Sequence, residues 1–94
     1  LNVYPSEIER VIADIPDVAE AAVVGVPDRE WGETVHAFVV ARSNAALTAD
    51  VVIARCRDRL AGYKIPKAVS FLPELPRNAG GKILKLALRR GAGG

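Results

Sequence analysis

Methionine is absent from this 94-residue chain, and cysteine, histidine and tryptophan each occur once. Each scarcity excludes something. Without methionine, Leu1 is not a translational start, and the chain reads as a fragment of a longer polypeptide. A single cysteine, Cys56, can form no internal disulfide, which fits a reducing, cytoplasmic setting. Ala49, Val52, Ile53 and Leu60 recur around Cys56 at helical spacing, so a small buried apolar residue is expected there rather than a nucleophile. The lone His36 has no second histidine, cysteine or carboxylate at metal-ligand spacing, which argues against a metal site and for a structural or solvated histidine. Trp31, beside a turn, is expected to be a packing anchor. No apolar run reaches the roughly 18 residues of a membrane span, and no signal peptide is visible.

What is present suits one globular domain: 50% hydrophobic and 26% charged residues. A chain of this size buries roughly two-thirds of its unfolded surface, enough for a modest core. The net charge of +2 is unevenly spread. From Tyr63 onward Lys64, Lys67, Arg77, Lys82, Lys85, Arg89 and Arg90 face Glu74 alone, a net of +6, and the preceding segment carries −4. That asymmetry points the basic half toward an anionic partner.

Apolar periodicity predicts the elements. Pro5 suits the first turn of a helix, Ile8, Val11, Ile12 and Ile15 form one face, and Pro16-Asp17 ends it. Val18–Val26 reads as a buried strand broken by Pro27-Asp28. Glu33–Ala41 is a second strand, antiparallel to the first because the connection is short. Thr48 caps a helix running to about Ala61, and Gly62 stops it. Ala68–Leu72 is a third strand, and Lys82 to about Arg90 a last helix, followed by a frayed Gly91, Gly93 and Gly94. The order predicts an α+β fold, a small three-stranded sheet covered by helices.

The stretch Leu75-Pro76-Arg77-Asn78-Ala79-Gly80-Gly81-Lys82 carries the chemistry. Pro76 stiffens the loop, Gly80 and Gly81 allow close approach, and Lys82 becomes a point charge deliverable to a phosphate or carboxylate. It is not a P-loop, because Ile83 stands where the Mg-binding hydroxyl would be. A wholly different reading, a free-standing anion- or RNA-binding module, rests on the +6 segment. No aromatic-rich RNA-binding motif supports it.

With Ile83, Lys85, Leu88 and Arg89, the string LPRNAGGKILKLALR resembles the C-terminal signature of adenylate-forming enzymes, Asn78 replacing a commoner threonine. Asn2-Val3-Tyr4-Pro5-Ser6-Glu7-Ile8-Glu9, Gly25-Val26-Pro27-Asp28 with Gly32-Glu33, and Tyr63-Lys64-Ile65-Pro66-Lys67 resemble further elements of that family, in family order. The resemblance is to the small C-terminal domain, most like that of acyl-CoA synthetases. Peptide-synthetase adenylation domains and luciferase-like relatives are the nearest alternatives.

The resemblance implies the roles. Residues 1–94 would be a single C-terminal domain of a longer enzyme that joins a carboxylic acid, ATP and CoA into acyl-CoA, AMP and pyrophosphate. Lys82 would contact the acyl carboxylate and α-phosphate during adenylate formation, an electrostatic role that suits a charged ammonium. Gly80 and Gly81 would let it approach. Tyr63, Lys64 and Lys67 would meet the CoA nucleotide, and Asn2 would line the pantetheine tunnel. ATP with Mg would be held mainly by an N-terminal domain, the principal partner, so the fragment alone is expected to be inactive. Neither nucleic acid nor a membrane span is implied.

Overall fold

Pro5 opens α1 (Pro5–Ala13) at a position where a missing N–H costs nothing. The computed structural model describes residues 4–93. Ile8, Val11 and Ile12 line the buried face of α1. Helix α1 ends two residues earlier than its apolar spacing suggests, because Pro16 disfavours helical backbone at Ile15. Ile15 stays buried all the same, in the turn that leads into the sheet.

Strands β1 (Val18–Asp28) and β2 (Gly32–Ala41) pair antiparallel, and β3 (Ala68–Phe71) lies parallel to β2, giving the order β1-β2-β3. Parallel pairing needs a long crossover. It is supplied by α2 (Ala49–Arg59) and a 3-10 turn at Gly62–Lys64. The Thr48 hydroxyl accepts a hydrogen bond from the Val51 N–H at 3.3 Å and caps α2. Gly62 does not stop α2: the helix ends at Arg59, Leu60 is already extended, and Gly62 starts the 3-10 turn. Helix α3 (Lys85–Gly93) completes the described chain.

Pro27-Asp28 does not break β1. Pro27 pairs with Glu33 and Asp28 with Gly32, so the hairpin extends to its tip. Strand β1 is at the sheet edge, where a proline can face solvent without removing a ladder donor.

The sheet is buried on both faces. Ala22 and Val24 of β1, with Phe38 and Val40 of β2, meet Leu75 and Leu88 on the α3 side. Val23, Val35, Ala37 and Val39 meet Ile8, Ile12, Val52 and Cys56 on the α1/α2 side. Strict alternation would put Val18 with Ala22 and Val24. A β-bulge between Val18 and Glu20 shifts the register by one, and Val18 joins the α1/α2 cluster instead. Cys56 is fully buried there, and burial pushes its thiol pKa up, as suits a packing residue.

Candidate functional site

Lys82 is not in the first turn of a helix. Helix α3 starts three residues later, and Lys82 stands on a short hairpin whose legs meet at an Arg77–Ile83 bridge. The Asn78 N–H donates to the Lys82 carbonyl at 3.0 Å, and the Gly81 N–H donates to the Asn78 carbonyl at 3.0 Å. The Lys82 N–H donates to Asn78 Oδ1 at 2.9 Å. Asn78 therefore closes the turn from both its backbone and its side chain. Gly81 has φ +89°, a conformation that a side chain would strain; Gly80 has no such requirement. At the base, the Leu84 N–H donates to the Pro76 carbonyl at 2.8 Å. The result is a fixed backbone carrying an exposed lysine, and among the described residues no carboxylate pairs with it. Arg77, Lys82, Leu84 and Leu86 line a shallow open surface around it, with both leucines exposed.

Tyr63, Lys64 and Lys67 do not line the surface around Lys82. They lie near the other end of the sheet, beside the β1–β2 turn. There an open groove of about 650 Å³ is lined by Trp31, Thr34, Val35, Tyr63, Ile65 and Lys67, among others. Trp31 is 71% exposed and Tyr63 48%, so two aromatic faces border one groove. The expectation that Trp31 is a packing anchor is overturned: it caps a hairpin tip that nothing in the described chain covers. The sequence signal for this exposure is its context: a tryptophan within Asp28-Arg29-Glu30-Trp31-Gly32, between two strands, sits where solvent exposure is usual.

The lysines of this region differ. Lys64 Nζ meets Glu7 Oε1 at 2.7 Å and stands 5.6 Å from the centroid of the Tyr63 ring. The Glu7 carboxylate beside it holds its pKa above the ordinary lysine value. Lys67 is exposed on the groove rim, 3.0 Å from Asp28 Oδ2. Four of the seven bases from Tyr63 onward, Lys64, Lys67, Arg77 and Lys85, pair with carboxylates, so the +6 segment is not presented as one continuous basic face. His36 Nε2 lies 3.0 Å from Ser70 Oγ, and its ring stacks on Phe38 at 4.7 Å. Desolvation lowers its pKa, which fits a structural histidine. Asn2 lies outside the described residues. Among those residues there is no cluster of metal-ligating side chains, and no helix is long and apolar enough to cross a membrane.

The family model for the AMP-binding enzyme C-terminal domain matches residues 7–82, most of the chain and ending on Lys82. The chain belongs to this family. Over 88 residues it is 49% identical to a 3-[(3aS,4S,7aS)-7a-methyl-1,5-dioxo-octahydro-1H-inden-4-yl]propanoyl:CoA ligase of Rhodococcus jostii, covering 94% of the chain and 17% of that protein. Among solved structures, a Mycobacterium tuberculosis fatty acyl CoA synthetase superposes with a TM-score of 0.88 at 49% identity, over 97% of the chain and 18% of the synthetase. ATP-bound MatB of Rhodopseudomonas palustris gives 0.94 at 43%, again over 97% and 18%. The chain thus spans less than a fifth of the length of these relatives. The α+β sandwich is the fold of this C-terminal domain family, and the first two of these relatives are named as a CoA ligase and a fatty acyl CoA synthetase.

In this AMP-binding C-terminal domain the Trp31 turn has a titratable latch. Asp28 Oδ1 accepts from the Glu30 and Trp31 N–H groups at 2.9 Å each. The Trp31 N–H first, then Lys67 and the Glu30 N–H, hold the Asp28 pKa below its ordinary 3.8. A carboxyl with a lowered folded-state pKa contributes its stabilisation above its unfolded value and loses it as pH falls through the folded one. Fluorescence of Trp31, the sole tryptophan, should therefore stay flat from neutral pH down to about 4 and change below that. Asp28→Asn should remove the part of the acid transition that belongs to this turn.

Proposed function

We propose that this chain is the mobile C-terminal domain of an acyl-CoA synthetase, and that Lys82 is its adenylation lysine. The parent enzyme joins a carboxylic acid to ATP, giving acyl-AMP and pyrophosphate, and then transfers the acyl group to CoA. The observation that carries the reading is an exposed ammonium, free of any described carboxylate, on a hairpin fixed by hydrogen bonds at tip and base. In the first step a carboxylate oxygen attacks the α-phosphorus of ATP and pyrophosphate leaves. Anion approaches anion, and a preorganised cation offsets the repulsion. An ammonium already tied to a carboxylate of its own domain would be poorly placed for that task. Mg would accompany ATP, but the described residues of this chain supply no cluster to hold it. The ATP and acyl sites belong to an N-terminal domain, the partner against which this one moves.

The second step uses the other end of the domain. Trp31 and Tyr63 offer aromatic faces for the adenine of CoA, with Lys67 on the rim for a phosphate. Arg77, in the Lys82 hairpin, pairs with Glu20, whereas Lys67 pairs with Asp28. Along β1 those anchors are roughly 25 Å apart at ~3.3 Å per residue. Separate surfaces for the two half-reactions on one rigid domain support rotation of the domain between them.

Assaying the two half-reactions separately tests this reading. Trp31→Ala should raise the KM for CoA about fivefold or more, since base–aromatic stacking is worth ~1–3 kcal/mol, and Lys67→Ala should raise it too by removing a phosphate contact. Adenylate formation should be unaffected. Lys64→Ala should matter less, because Lys64 does not line the groove and its side chain is only 18% exposed, against 63% for Lys67. An unchanged CoA dependence in the Trp31 and Lys67 variants would remove the groove from the CoA site.

A further inference from the structure

The hairpin that carries Lys82 is tied to the sheet on both sides by carboxylates that the chemistry does not use. On the incoming leg, Arg77 is paired with Glu20 of β1. On the outgoing side, Lys85, the first residue of α3, lies 2.8 Å from Glu9 Oε2. The same Glu9 oxygen accepts a hydrogen bond from the Val23 N–H at 2.8 Å. One carboxylate of α1 therefore joins the β1 edge to the start of α3, three residues beyond Lys82. Its side chain is 24% exposed, so it is more sheltered than an ordinary surface pair.

Packing alone leaves the hairpin less well defined. Leu75, Ile83 and Leu88 hold the hairpin and α3 against the sheet through apolar contact, which is non-directional and permits small slides. The Leu84-to-Pro76 hydrogen bond ties the hairpin base to itself and not to the sheet. Among the described residues, the two ion pairs are the directional links, one on the incoming leg and one just past the outgoing leg, the second reaching β1 through Glu9. A charge that must meet a reacting phosphate is sensitive to displacements of the order of 1 Å, which cost up to about a hundredfold in rate. Exposed ion pairs, by contrast, contribute little to stability.

We infer that Glu9 and Glu20 are positioning residues that align Lys82 for adenylate formation by bracing its hairpin against β1. The inference rests on Lys82 being the adenylation lysine and adds the device that aims it. Glu9→Gln keeps an oxygen for the Val23 N–H and removes only the charge facing Lys85. Glu20→Gln does the same toward Arg77.

The experiment uses the full-length ligase and assays each half-reaction in six forms: wild type, Glu9→Gln, Glu20→Gln, the double variant, Lys82→Ala, and Lys82→Ala combined with the double. The double variant should lower kcat for adenylation about tenfold or more, with little change in KM for ATP or acid. Thioester formation from supplied acyl-AMP should stay within about twofold. On the Lys82→Ala background the same two changes should cost nothing further, because a brace acts only through the side chain it aims. Exchanging the charges, Glu20→Arg with Arg77→Glu, should recover part of the loss of Glu20→Gln. Wild-type adenylation by the double variant, beside a disabled Lys82→Ala, would overturn the brace and leave the lysine's role standing. Equal losses in both half-reactions, or a further loss on the Lys82→Ala background, would also overturn it. A Lys82→Ala enzyme that adenylates normally would remove the role of the lysine itself, and the brace with it.

Discussion

Lys82→Ala in the full-length ligase is expected to slow adenylate formation by at least about a hundredfold. Removing a single neutral oxyanion donor typically costs ~3–4 kcal/mol, or 10²–10³ in rate, and a full charge at a phosphoryl centre is worth no less. Thioester formation from supplied acyl-AMP should change far less, since the groove bordered by Trp31 and Tyr63 does not include the lysine. Lys82→Arg should rescue poorly: the charge survives, but the planar guanidinium is bulkier and presents its donors in another geometry. Lys82 is exposed and its side chain makes no ion pair with a described carboxylate, so the substitution should leave stability within about 0.5 kcal/mol. Pre-steady-state pyrophosphate release, measured apart from acyl transfer, decides the matter. Equal losses in both half-reactions would mean that Lys82 serves both orientations or holds the domain together.

Ile12→Ala should act on the other axis, stability. Ile12 is fully buried between α1 and the sheet, in the cluster that includes Val23, Val39, Val52 and Cys56. Truncating a buried isoleucine to alanine costs about 2–5 kcal/mol, the lost transfer energy plus the cavity left behind. A domain of this length is stable by only ~5–15 kcal/mol. One kcal/mol moves the Tm of such a domain by about 4–8 °C, so the chain should lose roughly 8 °C at the least. Thermal unfolding followed by circular dichroism measures it, with Lys82→Ala as the control that should hardly move. A shift of only a degree or two would mean that the α1 face is not the core of the domain. The pair of variants separates what folds the domain from what it delivers.

Much of this was legible in the residues. The spacing of Ile8, Val11, Ile12 and Ile15, the strand composition, the Thr48 cap and the run to Lys82 are local signals. They specified the element order, the α+β class and the family. The errors had local causes too. Pro27 reads as a strand breaker because a sequence does not say which strand is the edge; once β1 is known to be the edge, the proline is harmless. The last helix starts three residues later than its apolar spacing suggests, because that spacing continues through Ile83 and does not distinguish a hairpin leg from a first turn. Val18 lies on the opposite face from its alternation because a one-residue bulge has no composition of its own.

The tertiary structure alone decided which charges are free. Glu9 and Lys85, Glu20 and Arg77, Glu7 and Lys64, and Asp28 and Lys67 are between 39 and 76 residues apart in sequence, and only folding brings each pair together. A net charge of +6 on one segment therefore said little about what that segment presents. The sequence by itself named the lysine, through glycines and a proline that fix a loop locally. Its isolation from carboxylates, its brace on β1 and the exposure of Trp31 beside Tyr63 depend on long-range packing, whose partners no local pattern encodes.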